Sequence, residues 1–142
     1  VFNELRDRIT AYLANHRVCV VSTSGTLGAW AMPALYRVVA NALEVECLLP
    51  RWADVTFHLE QDPQVLLIIG DACAQEKRNG LRWLQYRGTA RPSVAPEWSS
   101  LLPEGRSTAR PEERYVAMRI KPARIDLIDE TRGWGARETL EL

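Results

Sequence analysis

The chain has 142 residues, of which 46% are hydrophobic and 25% charged, an ordinary globular balance that sets disorder aside. Eighteen Lys and Arg offset eighteen Asp and Glu, and this zero formal net charge argues against a partner held by bulk electrostatics, whether nucleic acid or a membrane surface. No apolar run approaches the roughly 18 residues of a membrane span and no signal-peptide pattern precedes Phe2, so one domain over residues 1–142, placed in the cytoplasm, is expected.

In chain order, Asn3 can cap a first helix whose Leu5, Ile9, Tyr12 and Leu13 fall on one stripe, and Asn15-His16 ends it. Val18 to Thr23 reads as a short buried strand. Ser24 to Gly28 turns the chain into a second strand, Ala29 to Val38, with Trp30, Met32, Ala34 and Tyr36 on one face. Pro33 lacks the amide hydrogen of a central ladder and marks an edge, a bulge or a place where backbone faces a ligand. Asn41-Ala42 turns into a third strand, Leu43 to Leu49, which alternates apolar with polar at its start, as a half-buried strand does.

Pro50-Arg51-Trp52 breaks that strand, a short helix runs from Ala53 to Gln61, and Asp62-Pro63 stops it. Gln64 to Gly70 is a continuous apolar run of buried-strand length. Asp71 to Gly80 is a polar loop. Leu81 to Arg91 is a long strand with Trp83, Gln85 and Arg87 on one face and Leu84, Tyr86 and Gly88 on the other. Pro96 to Leu102 forms a short helix carrying Trp98, and Pro103 to Pro111 an exposed linker. Arg114 to Ile120 and Arg124 to Asp129 are two strands interrupted by Lys121-Pro122, and Gly133-Trp134-Gly135 introduces a last strand, Ala136 to Leu142. About seven short strands and two or three helices predict a mainly β, α+β chain: a closed or split antiparallel barrel, which disposes of exposed sheet edges.

The side chains offer no familiar catalytic pattern. G-x-S-x-G, Walker A and G-x-G-x-x-G are all missing, which counts against hydrolase, P-loop and Rossmann readings. His16 and His58 are isolated, and Cys19, Cys47 and Cys73 form no C-x-x-C, so no metal-site spacing exists. Two of the cysteines fall in apolar strands as small hydrophobes, consistent with a reducing compartment. His16 suits a favourable charge at a helix C-terminus and His58 a solvated helix surface. Arginine makes up 16 of the 18 cations; its forks suit phosphate and carboxylate, but composition bias is the commoner source of such a count. Trp134, between two glycines, either covers a ligand, packs on a partner subunit or caps its own barrel.

The succession of Leu43–Leu49, Pro50–Val55, Asp62-Pro63 and Val65–Ile69 resembles the central signature of the pyridoxamine 5'-phosphate oxidase-like family of FMN-binding split barrels. The resemblance extends over nearly the whole chain, through the N-terminal helix, Met32-Pro33, Gly88-Thr89-Ala90 and the strand from Ile125 to Asp129. It implies a split antiparallel Greek-key barrel with an N-terminal helix and one or two short helices, forming a homodimer with FMN between subunits and oxidising or reducing a small molecule. By the same resemblance Met32, Pro33, Ala34, Leu35 and Tyr36 lie along the flavin ring, Leu48, Leu49 and Pro50 lead toward the phosphate, and Arg51 and the Thr56 hydroxyl meet it near a helix N-terminus. Gln85 or Arg87 would donate to the ring carbonyl; cross-strand packing and a surface ion pair account for the same two residues. Ala53, Asp54 and Val55 stand where the family has Ser-Arg-Lys, and a carboxylate there opposes a phosphate. The rival reading is a flavin-free dimer that binds another ligand, haem for example, or serves as a non-catalytic module. The C-terminal substrate motif of the true oxidase is missing; Arg132 to Arg137 is a loose echo of it.

Overall fold

The computed structural model describes residues 2–25, 28–39, 43–70, 80–103 and 109–142, with the side chains of Phe2 and Asn3 excepted. Its elements are α1 (Phe2–Ala14), β1 (Val18–Gly25), β2 (Gly28–Val38), β3 (Val45–Pro50), α2 (Asp54–Gln61), β4 (Gln64–Gly70), β5 (Arg82–Pro92), α3 (Trp98–Leu101), β6 (Tyr115–Asp129) and β7 (Arg137–Glu141). The sheet order is β3-β2-β1-β4-β5-β6-β7, and β3 also pairs with β6, which closes six strands into an antiparallel barrel. The run β4-β1-β2-β3 is the Greek-key order. Asn41-Ala42, Cys73 and most of the Asp71–Gly80 and Pro103–Pro111 expectations lie outside the described residues.

Inward-pointing residues follow the pleat: Cys19 and Val21 on β1, Val45, Cys47 and Leu49 on β3, Leu67 and Ile69 on β4, Leu84 and Tyr86 on β5. The four α1 residues Leu5, Ile9, Tyr12 and Leu13 join this core, each buried aliphatic side chain contributing about 1.5–3 kcal/mol. Polar ends inside it are satisfied. The Tyr36 hydroxyl donates to the Leu13 carbonyl at 2.7 Å, closing one orphan acceptor of the helix end. The Tyr86 hydroxyl lies 2.7 Å from the Leu43 carbonyl oxygen and 3.1 Å from that of Ile120, and burial pushes both tyrosine pKa values well above the ordinary range. Thus Tyr86 ties the chain entering β3 to the middle of β6.

Three expectations change. Asn3 falls inside α1, which already includes Phe2, so it does not hold the non-helical backbone of a cap. Strand β3 is buried on both faces, because Leu48 lies under Leu101 and Glu46 is almost fully covered. Lys121-Pro122 interrupts nothing: β6 is continuous, with Arg87 opposite Arg124 and Gly88 opposite Pro122, leaving Ala123 as the extra residue of a bulge. On the other edge of β6, β3 pairs only as far as Ile120 and β7 only from Arg124, so Pro122 sits where no ladder bond is asked of it. A Cβ at Gly88 would come within 2.4 Å of the Lys121 carbonyl oxygen, which explains the glycine beside the bulge.

The split lies beside β2. β3 pairs with Tyr36–Val38 alone, so among the described residues no strand pairs with residues 28–35 of β2 on that edge. The Tyr36 amide bonds back to Arg17 across β1, which puts the even-numbered residues of β2 in hydrogen-bonded pairs and turns the backbone groups of Ala31, Pro33 and Leu35 toward the split. Pro33 is therefore an edge proline.

Candidate functional site

Odd-numbered residues of β2 and even-numbered residues of β1 also share the outer face of the barrel. The registers align them in rows: Pro33–Val20–Ile68–Gln85, and one step on Ala31–Ser22–Leu66–Arg87. Strands about 4.8 Å apart make each row about 14 Å long. Val20, Leu66, Ile68 and Gln85 are half-buried, Val18 is 53% exposed, and Ala31, Pro33 and Arg87 are exposed.

Over the second row opens a cavity of about 520 Å³, lined by Ser22, Ser24, Ala31, Gln64, Leu66 and Arg87, with Trp30 among its further walls. Its size lies within the range of small-molecule sites, about 300–1,000 Å³. Arg87 makes no ion pair or hydrogen bond among the described residues, so its whole fork is available to an anion or a carbonyl. Ser22 donates to the Leu66 carbonyl at 2.9 Å and keeps its lone pairs. The neighbouring Thr23 Oγ1 is buried with no partner among the described residues, a cost of about 1–3 kcal/mol that a ligand or water could relieve. The Trp30 indole stacks on His58 of α2 at 5.8 Å and 23°, so His58 is half-buried under an aromatic ring rather than solvated.

The twelve residues expected at a cofactor separate into groups. Pro33, Leu35, Gln85 and Arg87 share the outer face, and Arg87 alone of the twelve lines the cavity. Ala34, Tyr36 and Leu49 are buried in the barrel core, and half-buried Met32 packs against it, so their side chains are spent on packing. Leu48 is covered by α3, and Pro50 ends β3 half-buried. Arg51 is exposed, and its Nε donates to the Glu112 carbonyl at 2.7 Å. Thr56 is buried and its hydroxyl donates to the Pro50 carbonyl at 2.7 Å, so its one proton is not free for a phosphate.

These contacts test the fit of FMN. The apolar wall of Ala29, Ala31 and Leu66 beside a free guanidinium suits a flat heterocycle with carbonyl groups. The α2 N-terminus does not suit a phosphate: Ala53 provides no side-chain cap, Asp54 places a carboxylate in the first turn, and Thr56 is committed. Ser22, Thr23, Ser24 and Gln64 read from the sequence as strand and turn residues only, with no site role. The alternation Val18, Val20, Ser22, Ser24 could have signalled a face passing from apolar to polar; the pairing with Gln64 and Leu66 is non-local.

Trp134 is fully exposed and caps none of the described residues. The His16 Nδ1 donates to the Tyr12 carbonyl at 2.7 Å, which places the imidazole at the end of α1, where that helix leaves acceptors over. Cys19 and Cys47 are reduced and buried, their sulfurs 3.9 Å apart; the contact with Cys19 and burial push the Cys47 thiol well up. Among the described residues there is no group of three metal-ligating side chains, and no helix is long and apolar enough to cross a membrane.

No protein-family model matches the chain, and no curated protein matches it in sequence. Solved structures do. General stress protein 26 of Bacillus anthracis matches with a TM-score of 0.74 at 20% identity, over 98% of this chain and 99% of its own. A Clostridium acetobutylicum protein related to general stress protein 26, of the pyridoxinephosphate oxidase family, matches at 0.65 and 12% identity over 99% and 94%. A haem-binding protein of Mycobacterium smegmatis matches at 0.69 and 15% identity, over 94% of this chain and 56% of its own. Closed by β3 against β6 and split beside β2, this chain has the pyridoxamine 5'-phosphate oxidase-like split-barrel fold.

Proposed function

We propose that the chain is an FMN-binding homodimer of a reducing cytoplasm and a flavin-dependent oxidoreductase acting on a small molecule. The observation that carries this reading is the outer-face cavity of about 520 Å³, in which the Arg87 fork, without a partner among the described residues, stands at the end of the row Ala31–Ser22–Leu66. A flavin would supply two-electron transfer there. The chain's own residues would bind and orient: Leu66 and Ala31 against the ring, Arg87 toward a ring carbonyl, and Gln85 one row away. Val18, Val20 and Ile68, partly exposed beside the cavity, offer an apolar surface for the second subunit, which would close the cavity and exclude water.

A second reading, a flavin-free barrel holding another ligand such as haem, is supported by the carboxylate of Asp54 and the committed hydroxyl of Thr56 at the usual phosphate position. The purified protein's visible spectrum, recorded before and after FMN addition and desalting, separates the two. A retained flavin spectrum is the result expected. A colourless protein that releases added FMN would leave the second reading standing, and retention of haem in a parallel trial would identify its ligand.

A further inference from the structure

On the barrel's other outer face a second row of side chains crosses four strands. Arg37 on β2 lies opposite Glu46 on β3, Glu46 opposite Arg119 on β6, and Arg119 opposite Arg91 on β5. Glu46 is 3% exposed; it accepts from the Arg37 Nε at 2.9 Å and from the Ser93 hydroxyl at 2.5 Å. Glu44, just before β3, accepts from the Arg119 Nε at 3.0 Å. Each carboxylate is thus matched by one guanidinium. Arg91 is left over: it is exposed, has no hydrogen bond or ion pair among the described residues, and faces a like charge directly across the ladder, an arrangement that destabilises a sheet.

These side chains surround a cavity of about 590 Å³ whose remaining wall is the apolar run Pro92, Val94 and Ala95. Among the described residues, the Nη groups of Arg37, Arg91 and Arg119 donate no hydrogen bond. Three guanidinium groups and two carboxylates leave one surplus positive charge, which matches a single negative charge better than a doubly charged phosphate. Planar forks pair bidentately with carboxylates, and the apolar wall suits a hydrocarbon tail.

We propose that this cavity is a binding site for a small organic carboxylate, seated on Arg91 and Arg119 with its tail against Pro92 and Val94. It shares no lining residue with the Arg87 cavity and stands or falls independently of the flavin reading. Calorimetric titration of the full chain with hexanoate, and separately with inorganic phosphate, tests it. Hexanoate is expected to bind saturably, tenfold or more weakly to Arg91→Gln, and to an intermediate degree to Arg91→Lys, which keeps the charge and loses the fork. Arg91 is exposed and bonded to nothing described, so both variants should fold; far-UV circular dichroism checks this. No saturable hexanoate binding, or binding indifferent to Arg91→Gln, overturns the site. Phosphate binding tighter than hexanoate overturns the ligand class.

Discussion

Over β3 and the first half of β6 the barrel is covered by its own chain: Leu48 and Ala117 lie under Leu101, with Leu35, Trp98 and Tyr115 packed around them. Across β1 and β4 the same outward alternation of apolar residues, Val18, Val20, Leu66 and Ile68, stays partly exposed. The two faces are built from one strand pattern and differ in what was laid over them. Where the crossing from β5 to β6 supplies a helix, the face is part of a core. Where the described residues supply no covering element, the face keeps a cavity and an arginine with no partner among those residues.

The covered face should answer to mutation as a core does. Leu101→Ala is expected to cost about 2–4 kcal/mol, read as a lower urea midpoint, because Leu101 is 1% exposed and α3 is a single turn that cannot close the gap. Tyr86→Phe should cost about 1–3 kcal/mol by removing the single buried hydroxyl proton that the Leu43 and Ile120 carbonyls share. A loss below about 0.5 kcal/mol in either variant would show that these contacts do not hold the barrel together.

An ion-paired carboxylate gives the pH dependence. Burial alone would raise the Asp126 pKa, but donors from Arg137 at 2.8 Å and Thr139 at 2.5 Å, with Arg124 nearby, hold it below the ordinary carboxylate value. A depressed native pKa adds stability that is fully present above the unfolded value and disappears as pH falls through the native one. Stability measured by urea unfolding should therefore drop below about pH 4, and Asp126→Asn should flatten that drop while lowering stability at pH 7. An unchanged acid limb in Asp126→Asn would remove Asp126 from the account.

The open face should behave in the opposite way. Val18→Lys is expected to change monomer stability by no more than about 0.5 kcal/mol, since Val18 is 53% exposed, yet to shift sedimentation toward the monomer. A variant that sediments like the parent would show that this face is not the subunit contact.

The sequence made the strands legible because period-2 alternation and turn residues are local, and Pro33 was readable as an edge for the same reason. What it hid was non-local. Thr56 carries the right hydroxyl at the right helix, but its proton goes to Pro50, and Tyr36 sits in a strand expected along a flavin while its hydroxyl closes the end of α1. The bulge at Ala123 resembles a strand break because Pro122 punctuates, and the free edge that tolerates it exists only once β3 and β7 have paired. Ser22, Gln64 and Arg87 lie more than 60 residues apart at the extremes and meet only through the β1–β4–β5 ladder.

Under the proposed function, Arg87 on the open face recognises the ligand and Arg51 beside α2 does not. FMN titration of Arg87→Ala and Arg51→Ala, followed by quenching of flavin fluorescence, tests this most directly. At least tenfold weaker FMN binding is expected for Arg87→Ala, about 1.4 kcal/mol, with Arg51→Ala close to the parent. Weakening by Arg51→Ala alone would contradict it.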